Sequence, residues 1–158
     1  MDSKLYIHRA ENEIKLAEIL FTISEKPEIQ TEIFFIKDPE TYYSGVISHS
    51  YYSIFYCAKA YLLKKGVKVS APEEHKKAFE EFKKFVESGE LDVELLIIYQ
   101  EALVKAESLL GIFKEEKKKR GEFTYRTIPQ ANKDPAEESM KNAKTFFKHI
   151  FNLCQDRE

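Results

Sequence analysis

"YYSGVISHSYYSIFYCAKAYLLKKG", residues 42–66, decides the fold of this chain. The stretch has no strand-like alternation, and at 100° per residue it separates into three helical faces. One face carries Tyr43, Ile47, Tyr51, Ile54, Phe55, Ala58, Tyr61 and Leu62, a core stripe. A second carries Val46, Ser50, Ser53, Cys57 and Ala60, small side chains that admit a close neighbour. The third carries Gly45, His49, Tyr52, Tyr56, Lys59 and Leu63. A helix that is apolar or small on nearly every side is the central helix of a bundle. Buried tyrosines need hydroxyl partners, so Tyr43, Tyr51 and Tyr61 are expected to link neighbouring helices.

Working outward, Ile7, Ala10, Ile14, Ala17 and Phe21 repeat at helical spacing and predict a helix over Leu5–Ser24. "SEKPEIQTEIFFIKDPE" reads as a loop broken by Pro27 and Asp38-Pro39, with a helical turn around Ile33–Ile36. The tyrosine-rich helix follows over Pro39–Lys65 and is stopped by Gly66. "SAPE", Ser70–Glu73, has capping-box spacing and opens a shorter helix through Val86, closed by Ser88-Gly89. Leu96, Tyr99, Leu103, Ala106, Leu110 and Phe113 form the seam of a long helix, with Gly111 marking a close approach. "DPAE" places Asp134 as the cap of a last helix bearing Ala136, Met140, Ala143, Phe147, Ile150 and Cys154. The prediction is all-α: an up-and-down bundle of four long helices plus a short one, one domain over residues 1–158.

Composition agrees with that class. In 158 residues, 43% are hydrophobic and 33% charged, and only 5 Gly and 5 Pro oppose helix. A net charge of −2 gives no global drive toward nucleic acid or membranes, so any such contact needs a local patch. Cys57 and Cys154 lack a CxxC neighbour or a histidine at ligand spacing, and they read as reduced thiols rather than a metal site. The opening "MDSKLYIHRAENEIK" has no apolar leader, and no run approaches the roughly 18 apolar residues of a membrane span. The expectation is a cytoplasmic protein with no membrane contact, cofactor or metal.

Two groups of residues are candidates for function. His49, Tyr52, Tyr56 and Lys59 put four polar tips on one stripe, a dimer surface or the wall of a pocket. The run Lys117, Lys118, Lys119 and Arg120, with Phe123, Tyr125 and Arg126, combines cations with aromatics. That combination suits single-stranded RNA or a nucleotide base; it also suits a solvated helix end lying against the helix dipole. His75 reads as a polar first-turn residue, and His8 and His149 as surface residues.

"YYSIFYCAKAYLLKKG", followed after a short loop by "EEHKKAFEEF", resembles the central segment of the HEPN family. The downstream order agrees: a long helix, the basic "KKKRGEFTYR", and the Ala-containing "AEESMKNAKTFFKHI". The resemblance implies a dimeric helical bundle, often encoded beside a minimal nucleotidyltransferase. Family members act as metal-independent ribonucleases or toxins of toxin–antitoxin pairs, or bind nucleotides or partners. The catalytic signature it implies is an Arg followed four to six residues later by a His. Such a pair supplies a phosphate clamp and a near-neutral acid/base. Here the region reads "RTIPQANK": Arg126 is in place, but the sixth residue on is Asn132, which cannot shuttle a proton.

The resulting expectation is a nucleotide-, RNA- or partner-binding homodimer in a toxin–antitoxin-type module with a nucleotidyltransferase. Its binding residues would be Lys118, Lys119, Arg120, Tyr125, Arg126 and Asn132. The alternative is a divergent metal-independent ribonuclease toxin using Arg126 with His49 or His75. A plain helical adaptor is the third reading.

Overall fold

The computed structural model describes residues 2–110 and 132–155. Six helices lie within them: α1 (Ser3–Glu25), α2 (Pro27–Glu32), α3 (Tyr43–Lys64), α4 (Glu74–Glu87), α5 (Val93–Leu110) and α6 (Lys133–Cys154). No strand occurs among the described residues.

The tyrosine-rich α3 is the central helix and packs against α1, α4, α5 and α6. Both its core face and its small-residue face are buried, from Tyr43 and Val46 to Tyr61 and Leu62. Residues at one end of the bundle fix the direction of the long helices. Glu25 at the end of α1 meets Tyr43 at the start of α3 and Lys133 at the start of α6. Leu109 of α5 packs with Tyr43, Val46 and Ala136 at the same end. At the opposite end, the Ser3 hydroxyl donates to the Ala60 carbonyl (3.1 Å) and Lys64 donates to the Cys154 carbonyl (2.8 Å). The long helices α1, α3, α5 and α6 therefore alternate in direction, as an up-and-down bundle requires.

The α1/α3 pair is close because its facing residues are small. Ala10 and Ala17 are fully buried, and the Ser53 hydroxyl donates to the Ala10 carbonyl at 2.8 Å. On the other side of α3, Tyr61, Phe82, Tyr99 and Phe146 interlock with ring centroids 5.4–6.2 Å apart. Each of the fully buried large side chains (Tyr51, Tyr99, Phe82, Phe146, Ile54 and Leu62) contributes about 1.5–3 kcal/mol by leaving water.

Local punctuation differs from the sequence expectation in three places. The turn after α1 is helical at Pro27–Glu32, not at Ile33–Ile36, because Pro27 serves as a first helical residue. Buried Gln30 then holds the connection, donating to the Ile23 and Glu40 carbonyls (2.7 Å each) and accepting from the Glu40 N–H (2.9 Å). At α4 there is no Ser70 capping box: Glu73 is left-handed (φ 56°), so it lies outside the helix that begins at Glu74. The last helix begins at Lys133, with Asn132 rather than Asp134 as its extended cap residue. Pro135 then falls within the first turn, where its missing N–H costs nothing. Gly66 and Gly89 close α3 and α4 at φ 81° and 87°, as expected. Leu96 and Phe147 are only partly buried, whereas Leu95, Ile98 and Phe146 fill the core beside them. Gly111 and Phe113 lie outside the described residues, as does the Leu110 side chain.

Candidate functional site

The third face of α3 meets residues of α1 and α4 along one seam. The two long helices run antiparallel, so Tyr6 and Arg9 of α1 meet Tyr56 of α3, and Glu13, further along α1, meets His49. His49 Nδ1 lies 2.5 Å from Glu13 Oε2, with side-chain exposures of 32% and 20%. Tyr6 and Tyr56 are near-parallel (centroids 6.2 Å apart, 20° between planes), as are Tyr52 and Tyr56 (6.4 Å, 27°). The exposed Arg9 guanidinium rests on the Tyr56 ring, 4.9 Å from its centroid. At the lower end, Lys59 is 8% exposed, pairs with Glu74, and sits 4.7 Å from the Tyr6 ring centroid. Burial works against the Lys59 charge, but its bonds to Glu74 and Tyr6 outweigh burial and hold its pKa above the ordinary lysine value.

His75 closes the seam from α4. The Tyr51 hydroxyl lies 2.7 Å from His75 Nδ1, and the imidazole stacks on Phe55 at 4.1 Å and 24°. Burial pushes the His75 pKa below the ordinary imidazole value, reinforced by Lys59 and opposed by Glu74. Burial likewise pushes Tyr51 far above the ordinary phenol value, so it stays protonated. His75 is in the first turn of α4, as its position suggested, and it is half-buried and tied to the central helix.

The structure therefore brings His49, Tyr52, Tyr56 and Lys59 together and adds Tyr6, Arg9, Glu13, Glu74 and His75. The spacing of Tyr6, Arg9 and Glu13 by three and four was the available signal. Nothing in one sequence says which helix such a stripe will meet. Tyr43 and Tyr51 do link helices through their hydroxyls, the former donating to Glu25 at 2.7 Å. Lys118, Lys119, Arg120, Tyr125 and Arg126 lie outside the described residues. Asn132 is exposed at the head of α6, and its side chain makes no capping bond. It stands at the Tyr43 end of the bundle, while His49 lies six residues further along α3, about 9 Å along its axis.

A carboxylate-bound imidazole, parallel aromatic rings and an exposed guanidinium can orient a proton-transfer group, stack a planar ligand and bind an anion. Among the described residues, no group of three or more His, Cys, Asp or Glu could hold a metal ion. Cys57 and Cys154 are free, the former buried, and burial raises both thiol pKa values. No described helix is long and apolar enough to cross a membrane.

A family profile described as "HEPN domain" matches residues 38–153. The curated protein named "Putative toxin MJ0142", from Methanocaldococcus jannaschii, is 42% identical over 62 residues, which cover 39% of this chain and 40% of that protein.

Proposed function

The chain belongs to the HEPN domain family, and on that premise we propose that it is the binding member of a toxin–antitoxin-type module. It holds RNA or a nucleotide through Arg126, the basic run Lys118–Arg120, Tyr125 and Asn132, without cleaving it. Its partner in the module is a minimal nucleotidyltransferase, and the chain works as a homodimer. The observation that carries this reading is the residue six positions after Arg126, which is Asn132 and not histidine. The Asn132 amide is exposed and unused in capping α6, so it is available to hydrogen-bond a phosphate or ribose but not to transfer a proton. The 42% identity to a protein named as a toxin supports the module type.

The test is to incubate wild type and Arg126→Ala with mixed single-stranded RNA in EDTA, on a gel beside a binding assay. Binding without cleavage, lost in the variant, is the expected result. Absence of binding to RNA, to nucleotide and to a co-expressed nucleotidyltransferase would overturn the reading.

The His49–Glu13 contact favours a second reading, a metal-independent ribonuclease with His49 in place of the missing histidine. A carboxylate on Nδ1 orients the ring and leaves Nε2, which has no partner among the described residues, for proton transfer. RNA left intact by the pure protein would sink this reading; cleavage abolished by His49→Asn would establish it.

A further inference from the structure

We infer that the seam between α1 and α3 is a stacking site for unpaired nucleobases, with Tyr56 and Tyr52 as the platform and Arg9 as the cation for the adjoining phosphate. The inference rests on the RNA-binding reading above and gives it a second place and a mode of contact.

The tyrosines of α3 divide by what their hydroxyls do. Tyr43 and Tyr51 are tied to Glu25 and His75, each at 2.7 Å, and are buried. Tyr52 and Tyr56 are half-buried, and among the described residues their hydroxyls have no hydrogen-bond partner. Their rings instead run near-parallel to one another (6.4 Å), and Tyr56 also to Tyr6 (6.2 Å). Such a row stabilises the helix pair, and where it reaches the surface its stacking can be extended by a planar ligand.

Arg9 supplies the second element. It is exposed, has no ion-pair partner among the described residues, and already lies over the Tyr56 ring, 4.9 Å from its centroid. A guanidinium in that position can stack on a base and reach its phosphate. Lys59 is committed to Glu74 and so leaves this role to Arg9. At the far end, His49 and Glu13 offer a donor and acceptors for a base edge or ribose. The seam has flat rings and ionisable tips. Exposed aliphatic side chains lie on α5 (Val93, Ile97 and Val104) and on α1 (Leu5, Leu16 and Ile19), but the exposed cation on the seam itself, Arg9, favours a polyanion over an apolar partner. Base–aromatic stacking is tolerant of sequence, so the ligand is single-stranded RNA of no fixed sequence.

The experiment is fluorescence anisotropy of a short labelled single-stranded RNA with the full chain and with Arg9→Gln, Tyr56→Leu and Arg126→Ala. Photocrosslinking of a 4-thiouridine RNA is run alongside, and circular dichroism checks that each variant folds. Arg9→Gln is a surface change that leaves the fold intact, so it keeps the test decisive if Tyr56→Leu unfolds. The expected result is affinity weakened roughly 10-fold by Arg9→Gln and by Tyr56→Leu, with crosslinks on the peptide carrying Tyr52 and Tyr56. RNA binding lost in Arg126→Ala but unchanged in Arg9→Gln, with crosslinks confined to residues 117–132, would overturn this inference and leave the binding reading standing. No RNA binding by the wild type would overturn both.

Discussion

The Tyr51 hydroxyl shares a 2.7 Å hydrogen bond with His75 Nδ1, and Phe55, one turn along α3, stacks on the same imidazole at 4.1 Å. The central helix thus holds the start of α4 by this hydrogen bond, by ring contacts of Tyr51, Tyr52 and Phe55 with His75, and by the Lys59–Glu74 pair. Tyr51→Phe keeps the ring packing and leaves the imidazole nitrogen without its hydrogen-bond partner. A loss of about 1–2 kcal/mol is expected, read as a lower urea midpoint at unchanged slope. An unchanged midpoint would mean that the nitrogen finds another partner.

The same imidazole makes stability depend on pH. Burial places its folded pKa below the unfolded value of about 6.5. Between those two values the unfolded chain binds more protons, so stability rises with pH. The contribution is complete above about pH 6.5 and is lost as pH falls toward the folded value. In denaturation series from pH 7.5 to 5, wild type is expected to lose stability more steeply than His75→Gln. Parallel curves would assign the dependence to other groups.

Lys59 and Glu74 form an asymmetric pair, since Lys59 is 9% and Glu74 32% exposed at the side chain. Glu74→Gln leaves the buried ammonium without its counter-charge and is expected to cost roughly 1–3 kcal/mol. Lys59→Met fills the same space beside Tyr6 and Phe55 without a charge and is expected to cost less. Thermal unfolding of the two variants decides this; a larger loss for Lys59→Met would show that the ammonium's contacts with the rings matter more than burial of the charge.

Phe35 is 87% exposed and held at φ 57°, just before Ile36, whose N–H is drawn back to the Gln30 carbonyl at 2.9 Å. A left-handed backbone strains any residue with a Cβ, and no buried contact offsets it here. Phe35→Gly is expected to raise stability by about 0.5–1 kcal/mol, checked by the melting midpoint. A drop would reveal a contact that the exposed ring makes.

A glycine or small residue also sets the α1/α3 spacing. A Cβ on Gly45 would come within 2.8 Å of Leu20 Cδ1, the tip of a flexible side chain. Gly45→Ala is therefore tolerable after a small shift of Leu20, while Gly45→Val forces the helices apart at a cost of about 1–3 kcal/mol. Comparison of the two melting curves tests this; equal stability would mean that the seam opens freely.

Legibility tracked the range of the interaction. The apolar spacing of α1, α3, α5 and α6 was readable because helical periodicity is local, and so were the Gly66 and Gly89 stops. The capping box at Ser70 and the cap at Asp134 were misread. Each depended on a backbone angle or a cross-helix pair, the left-handed Glu73 and the Lys133–Glu25 bridge. The polar stripe of His49, Tyr52, Tyr56 and Lys59 was visible, but its partners were not. Tyr6, Arg9 and Glu13 become neighbours of that stripe only when α1 lies antiparallel on α3, and His75 only when α4 folds back on it.

By itself, then, the sequence determined an all-helical bundle, its central helix, and the absence of a histidine in the four-to-six-residue window after Arg126. These follow from residue type and spacing along one chain. The tertiary structure alone decided which tyrosines spend their hydroxyls inside the bundle and which present their rings on a seam. That choice is made by contacts 18 or more residues apart along the chain, such as Tyr43 with Glu25, Tyr51 with His75 and His49 with Glu13, and no local periodicity encodes them.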